Sequence, residues 1–422
     1  MYKDEIRNTL FQNKDKRILL YGRPGLGKSC FANELYNEFR GRFIIVNFRR
    51  DNVTEILEGL KNCKDITEAL VDAYRLSGEL LSVTFVLDEF LDLKYENDLK
   101  EKITERKDEY KYKDIKIIFI ADDVAWAKNK SDLFDKCIKA DKISFEEFLI
   151  RSGEKFYAQV VNAHMTAKKT MPSLIHNELT DMYYQYLSTG GYIRPVIELT
   201  KENPAVMTED LAAERYEALI GNISVKEKDG TKLQNKIGII NTIPICAKNS
   251  RFVFSKTGRR YIGKEQLENN VNELIDDGII IRIPRLNDDS YSLALTDDGI
   301  YRYLLIKNRS ELALTDDRIK ELVIENHIRN LLKEAGFNVY TWAGKYRFRI
   351  NTIIESKGKY HPVKVACSGT TRNVNYEEFF SLYKDLTSTK IHITESSFNE
   401  SKDSINMPVY GCEYIDNFIP QL

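Results

Sequence analysis

The chain has 422 residues, 42% hydrophobic and 30% charged, which is room for about three domains at roughly 150 residues each. Lys and Arg number 63 against 64 Asp and Glu, so any contact with nucleic acid must be a local patch and not a basic surface as a whole. No apolar run approaches the roughly 20 residues of a membrane helix. The first ten residues carry alternating charges where a leader would be apolar, and the cysteines (Cys30, Cys63, Cys137, Cys246, Cys367, Cys412) are scattered without a C-x-x-C pair. These features argue against a disulfide framework and a structural zinc site, and the expectation is a cytoplasmic, multidomain protein with no membrane partner.

From residue 17 to about 145, short β-rich runs alternate with longer polar helical stretches, the pattern of an α/β fold with a parallel sheet. The predicted strands are 17–21, 42–48, 82–87, 115–120 and 141–145. Directly after the first stands Gly22-Arg23-Pro24-Gly25-Leu26-Gly27-Lys28-Ser29, followed by the helical stretch that begins at Cys30. This G-x-x-x-x-G-K-S pattern, between a strand and a helix, is a phosphate-binding loop. Its glycines let backbone N–H groups turn inward, Lys28 reaches the β- and γ-phosphates, and the Ser29 hydroxyl ligates magnesium. The positive end of the following helix dipole adds to the attraction.

The third strand ends in Asp88-Glu89. At this distance from the loop, Asp88 belongs beside the magnesium and Glu89 is placed to take a proton from an attacking water. The fourth strand ends in Ala121-Asp122-Asp123. Asp122 is a candidate contact of the γ-phosphate or the water, and the same pair equally suits a cap on the next helix. Asn129-Lys130-Ser131-Asp132 spells a guanine-recognition motif, but Asp88 is followed by Glu-Phe-Leu and not by D-x-x-G, so a polar loop is the better reading and ATP is preferred to GTP.

Residues 146–222 read as three or so helices punctuated by Pro172 and Gly190-Gly191. Gly190-Gly191-Tyr192-Ile193-Arg194-Pro195 opens one of them, with Pro195 suited to a first turn. Between about 230 and 305 the order is helix, basic turn (255–260), helix (264–277), Gly278, then two strand-like runs, a winged-helix pattern. Its second helix is acidic, which opposes phosphate contact. Arg251, Lys256, Arg259, Arg260 and Lys264 cluster just before or at its start, so DNA contact and packing beside the core both remain open. The last hundred or so residues place a helix at 317–335 and strands at 338–342, 346–354 and 361–367. LALTDD occurs at 293–298 and 312–317; both copies are read as helix starts and not as a repeat unit.

Together these motifs resemble an AAA+/STAND-like P-loop ATPase of the prokaryotic, archaeal type, along nearly the whole chain. The resemblance implies a P-loop core (1–147), a helical lid (148–225), a winged helix (226–308) and a restriction-endonuclease-like α/β domain (309–422). It implies ATP and Mg2+ as cofactors, with Gly22 to Cys30 around the nucleotide, Ser29 and Asp88 on the metal, and Lys28, Glu89, Asp122 and Arg194 acting on the phosphates or water. Arg194 is similar to the lid arginine that senses the γ-phosphate. The stretch LFDKCIKADKISF has no arginine where ring-forming relatives place a finger for the neighbouring subunit, so a monomeric or small-oligomeric switch fits better than a ring motor. In the C-terminal segment a nuclease-like site would use Glu325, but the strand Asp position reads Asn351. The Glu-x-Lys position reads Lys364 and Ala366, or Pro362 and Lys364 in a shifted alignment, so cleavage is not expected. Either the site is degenerate or the segment never was nuclease-like. DNA and a protein are the candidate partners. Two functions compete: an ATP-hydrolysing switch, and a nucleotide-gated scaffold with negligible turnover.

Overall fold

The computed structural model describes residues 2–12, 15–39, 42–62, 65–77, 82–91, 102–104, 112, 114–199, 204–247, 251–254, 263–344, 349–367 and 376–419. The chain packs as two compact units, Met1–Lys142 and Ile143–Leu422.

The first unit runs α1 (Tyr2–Gln12), β1 (Arg17–Tyr21), α2 (Lys28–Glu38), β2 (Phe43–Asn47), α3 (Thr54–Lys61), α4 (Ile66–Ala73), β3 (Thr84–Asp88), β4 (Lys116–Ala121), α5 (Val124–Asn129) and β5 (Lys136–Lys139). Its strands lie in the order β2-β3-β4-β1-β5, all parallel. Because β3 and β4 are buried along their whole length, TFVLD and KIIFIA need no polar alternation. Leu19, Val46, Phe85 and Phe119 meet in a core that also takes in α3 and α4 through Leu60 and Leu70. Parallel pairing puts every strand's carboxyl end on one edge, so Tyr21 is level with Ala121, and Asn47 with Asp88.

The fifth strand is not where periodicity puts it. It is Lys136–Lys139, and the expected strand at 141–145 is a connection into a helix. The Ser144 hydroxyl accepts from the Glu147 N–H at 3.2 Å, a helix-start cap that outweighs the β-branched character of Ile143. Lys-Cys-Ile-Lys is half polar because β5 is an edge strand, with only Ile138 buried.

Among the described residues, the second unit begins with five helices: α6 (Phe145–Arg151), α7 (Lys155–Thr166), α8 (Ser173–Thr189), α9 (Ile193–Leu199) and α10 (Pro204–Lys226). There are more breaks than the expected three helices need, because Gly153 (φ 87°), Gly190 (φ 66°) and Gly191 (φ 73°) all turn left-handed. Next come α11 (Gly230–Cys246), α12 (Lys264–Asp276) and an antiparallel hairpin of β6 (Ile280–Pro284) and β7 (Tyr291–Leu295). Gly278, at φ 72°, ends α12 as anticipated.

Beyond α13 (Asp298–Lys307) and α14 (Asp316–Glu334) lies a mixed sheet with α15 (Glu377–Leu382) inserted before its fourth strand. The strands are β8 (Asn338–Ala343), β9 (Arg349–Ser356), β10 (Lys359–Ala366), β11 (Lys390–Thr394), β12 (Asn399–Glu400) and β13 (Ser404–Pro408). They are ordered β12-β13-β11-β10-β9-β8, with β8, β9 and β10 an antiparallel meander and β11 and β13 parallel to β10. Both LALTDD copies start helices, Asp297 capping α13 and Thr315 capping α14. Helical, hairpin and sheet segments share one hydrophobic core, which includes Phe145, Tyr183, Ile240, Leu304, Ile328 and Ile393.

Candidate active site

The carboxyl edge of the parallel sheet gathers the phosphate-loop residues. Gly22 leaves β1 with its N–H donating to Ala121 O at 3.1 Å, and a Cβ there would lie 2.9 Å from Ala140 O. Only glycine allows that backbone approach. Gly27, at φ 83°, turns the chain into α2, whose N-terminus carries no side-chain cap. Uncapped N–H groups at the positive end of a helix are suited to an anion. Leu26 is buried and anchors the loop, Arg23 is half-buried, and Pro24, Gly25, Ser29 and Cys30 are exposed on it.

Lys28 is only 3% exposed. Its Nζ donates to Gly22 O and Arg23 O at 2.8 Å each and forms an ion pair with Asp122 Oδ1. The two readings of the Asp122-Asp123 pair are divided between the residues. Asp123 caps α5 by accepting from the Trp126 N–H at 2.9 Å, and Asp122 faces Lys28.

Asp88 ends β3, with β4, the central strand, between it and the loop-bearing β1. Burial raises its pKa; a hydrogen bond from Ser29 opposes that rise, and the charge of Asp122 adds to it. The Ser29 hydroxyl and the Asp88 carboxylate thus already touch, and as adjacent oxygen donors beside a phosphate loop they fit a hard divalent cation. Glu89 follows in the left-handed region at φ 57°, and Phe90 beyond it is fully buried, edge-on to Phe119 and Trp126. The backbone thus turns sharply between the Asp88 carboxylate and an aromatic anchor, with Glu89 at the turn.

Sequence reasoning passed over Asn47. Its Nδ2 donates to Asp88 Oδ2 at 3.3 Å, while its Oδ1 accepts from the N–H groups of Arg49 and Arg50. The N–H of Asn47 is held by Asp51 at 2.7 Å. An Asn followed by polar residues at a strand end signals such a side-chain turn, but the Asp88 contact comes only from strand pairing. Asn129-Lys130-Ser131-Asp132 spans the end of α5 and a 3-10 turn, not a strand end.

The remaining predicted residues lie in the second unit. Arg194, near the start of α9, is exposed and pairs with Glu214 Oε2 at 3.1 Å. Glu325 on α14 is 8% exposed, and both its carboxylate oxygens accept from Asn351 Nδ2 on β9 at 3.0 Å. Arg318 and Arg329 act on Glu325 electrostatically, and Arg329 also donates to Asn351 O at 2.6 Å. Lys364 is on β10, next to β9, with its pKa lowered by burial. Pro362 and Ala366 lie on the same strand. Glu325 is therefore bonded to an amide where a metal pair would need a second carboxylate. Of the basic cluster, Arg251 and Lys264 are described; Lys256, Arg259 and Arg260 lie outside the described residues. No described helix is long and apolar enough to cross a membrane.

No family model matches the chain, and no curated protein matches it. Among solved structures, a Walker-type ATPase of Pyrococcus abyssi is similar at 13% identity over 72% of this chain and 94% of its own, with a TM-score of 0.47. The ORC2 protein of Aeropyrum pernix is similar at 14% identity over 74% of this chain and 93% of its own, with a TM-score of 0.37. The RuvB Holliday junction branch migration motor of Thermotoga maritima is similar at 14% identity over 74% of this chain and 94% of its own, with a TM-score of 0.34.

Proposed function

We propose that the chain is an ATP-binding and ATP-hydrolysing switch of the AAA+/STAND-like type, working in the cytoplasm. One observation carries the reading: Lys28, Ser29 and Asp88 converge at the carboxyl edge of a parallel sheet, at the uncapped start of a helix. The loop amides and Lys28 would hold the phosphates, and Ser29 and Asp88 would hold Mg2+, whose charge, when bound, neutralises phosphate oxygens. Glu89 acts as general base on the attacking water, and Asn47 keeps Asp88 oriented. The assignment of Arg194 as sensor of the γ-phosphate rests on the G-G-x-x-R-P pattern. Lys28→Ala should abolish stabilisation by ATP, which at a hundredfold excess over Kd is about 2.7 kcal/mol. An undiminished shift in melting temperature in that variant would remove the nucleotide from this site.

A scaffold with negligible turnover is the second reading, and the ion pair between Lys28 and Asp122 favours it. Phosphate release by the purified protein, with and without DNA, separates the two. DNA as partner through the winged-helix segment predicts turnover that rises with DNA and falls back at high salt. For the C-terminal segment we infer a nuclease-like domain without a working site. Support comes from the order α14-β8-β9-β10-α15-β11 and from Asn351 bonded to Glu325. Two carboxylates are needed to hold a metal that activates water, and Asn351 is neutral. Digestion of DNA with magnesium or manganese, lost in Glu325→Ala, would overturn that inference.

A further inference from the structure

We propose that Asp122 sets the nucleotide preference of the site, disfavouring the γ-phosphate so that a nucleoside diphosphate binds more tightly than the triphosphate. The inference rests on the nucleotide reading of the phosphate loop. An ammonium has three N–H donors, and Lys28 directs its own to Gly22 O, Arg23 O and the Asp122 carboxylate. The carbonyl partners belong to the loop that shapes the cradle; Asp122 alone comes from another strand and carries charge.

The position of Asp122 is fixed by the sheet. β4 pairs with β1 so that Ala121 is level with Tyr21, and Ala121 O accepts from Gly22 N–H. The next residue is therefore held beside the start of the loop. Asp123 cannot take its place, because its carboxylate caps α5. The charge of Asp122 also acts on Asp88, so the edge already carries two neighbouring carboxylates.

A β-phosphate in such a loop is held mainly by backbone N–H groups and the helix end. A γ-phosphate lies further out and depends more on the lysine and the metal. It must draw the Lys28 ammonium away from Asp122 and then stand near a carboxylate of its own sign. The diphosphate meets less of both costs. The site is thus biased toward the product side of hydrolysis, and an event that moves Asp122 off Lys28 would admit the triphosphate.

The test is calorimetric titration of the full chain, with Mg2+, by ADP and by a non-hydrolysable ATP analogue. Wild type should bind ADP more tightly than the analogue. Asp122→Asn, nearly isosteric, should tighten the analogue about tenfold relative to ADP, equivalent to about 1.4 kcal/mol. Asp122→Ala serves as a second variant, and melting curves of every variant report folding. Binding of both nucleotides with a ratio unmoved by Asp122→Asn and Asp122→Ala in folded protein overturns this proposal and leaves the nucleotide reading intact. Binding of neither nucleotide by wild type overturns both.

Discussion

The catalytic role proposed for Glu89 and its structural role can be separated by substitution. Its φ of 57° places an L-residue in the left-handed region, at a cost of about 1–2 kcal/mol. Glycine avoids that cost but loses about 0.5–1 kcal/mol of backbone entropy on folding. Glu89→Gly should therefore be about 0.5–1 kcal/mol more stable than Glu89→Ala, which keeps the strain and removes the same carboxylate. For a unit of this size the difference is about 2–4 °C in melting temperature. Comparing Gly with Ala cancels every contact of the Glu side chain and leaves only the backbone. Both variants should bind ATP, and both should lose about 10²–10⁴-fold in turnover if Glu89 is the base. Differential scanning fluorimetry and steady-state phosphate release measure the two effects on the same preparations. A Glu89→Gly protein that melts at or below Glu89→Ala would refute the strain argument. Full turnover in either, or in Glu89→Gln, would take Glu89 out of the base role.

Other predictions concern the second unit. His327 is buried between Asp298 (Nδ1 to Oδ2, 2.9 Å) and Glu413 (Nε2 to Oε1, 2.8 Å), and although burial disfavours its charge the two carboxylates raise its pKa to about 9. A folded value above the unfolded one, about 6.5, gives stability that is complete below pH 6.5 and lost as pH rises through 9, up to about 3 kcal/mol. The urea midpoint of this unit should fall over that window, and His327→Gln should flatten the slope; an equal slope in the variant would exclude His327 as its source. Asn351→Asp would set a second carboxylate against Glu325, so the variant should melt lower in metal-free buffer and recover with manganese; indifference to manganese would count against a degenerate metal site.

The parts of the fold legible in the sequence are those determined by neighbours along the chain. RILLY before G-x-x-x-x-G-K-S, apolar runs at β3 and β4, and Gly278 after an amphipathic helix each announce themselves within a few residues. The fifth strand was misplaced because an edge strand needs little apolar content: Ile138 alone is buried in it, while Ile143 and Phe145 pack as a helix entry in the other unit. The expected division of residues 148–422 into lid, winged helix and C-terminal domain likewise came from local patterns. What joins them is long-range. His327 of α14 meets Asp298 of α13 and Glu413 of the terminal 3-10 stretch (Val409–Asn417), and no periodicity records a bond across 86 residues.

The same distinction runs through the candidate site. Lys28, Ser29, Asp88 and Glu89 could be named because each lies at a strand end or in a motif whose spacing is itself the constraint. Asn47 could not, because its bond to Asp88 follows from β2 pairing with β3 in one register, and a shift by one residue would turn its side chain to the other face. Asp122 and Asp123 are the sharpest instance. Two identical side chains follow one strand, and local rules admit either as the helix cap. Backbone geometry decides: Asp123, extended at the N-cap of α5, reaches the Trp126 N–H, so its neighbour projects elsewhere, and parallel pairing with β1 makes that the Lys28 ammonium. A carboxylate that looked like a redundant cap is thereby placed on the buried lysine of the loop.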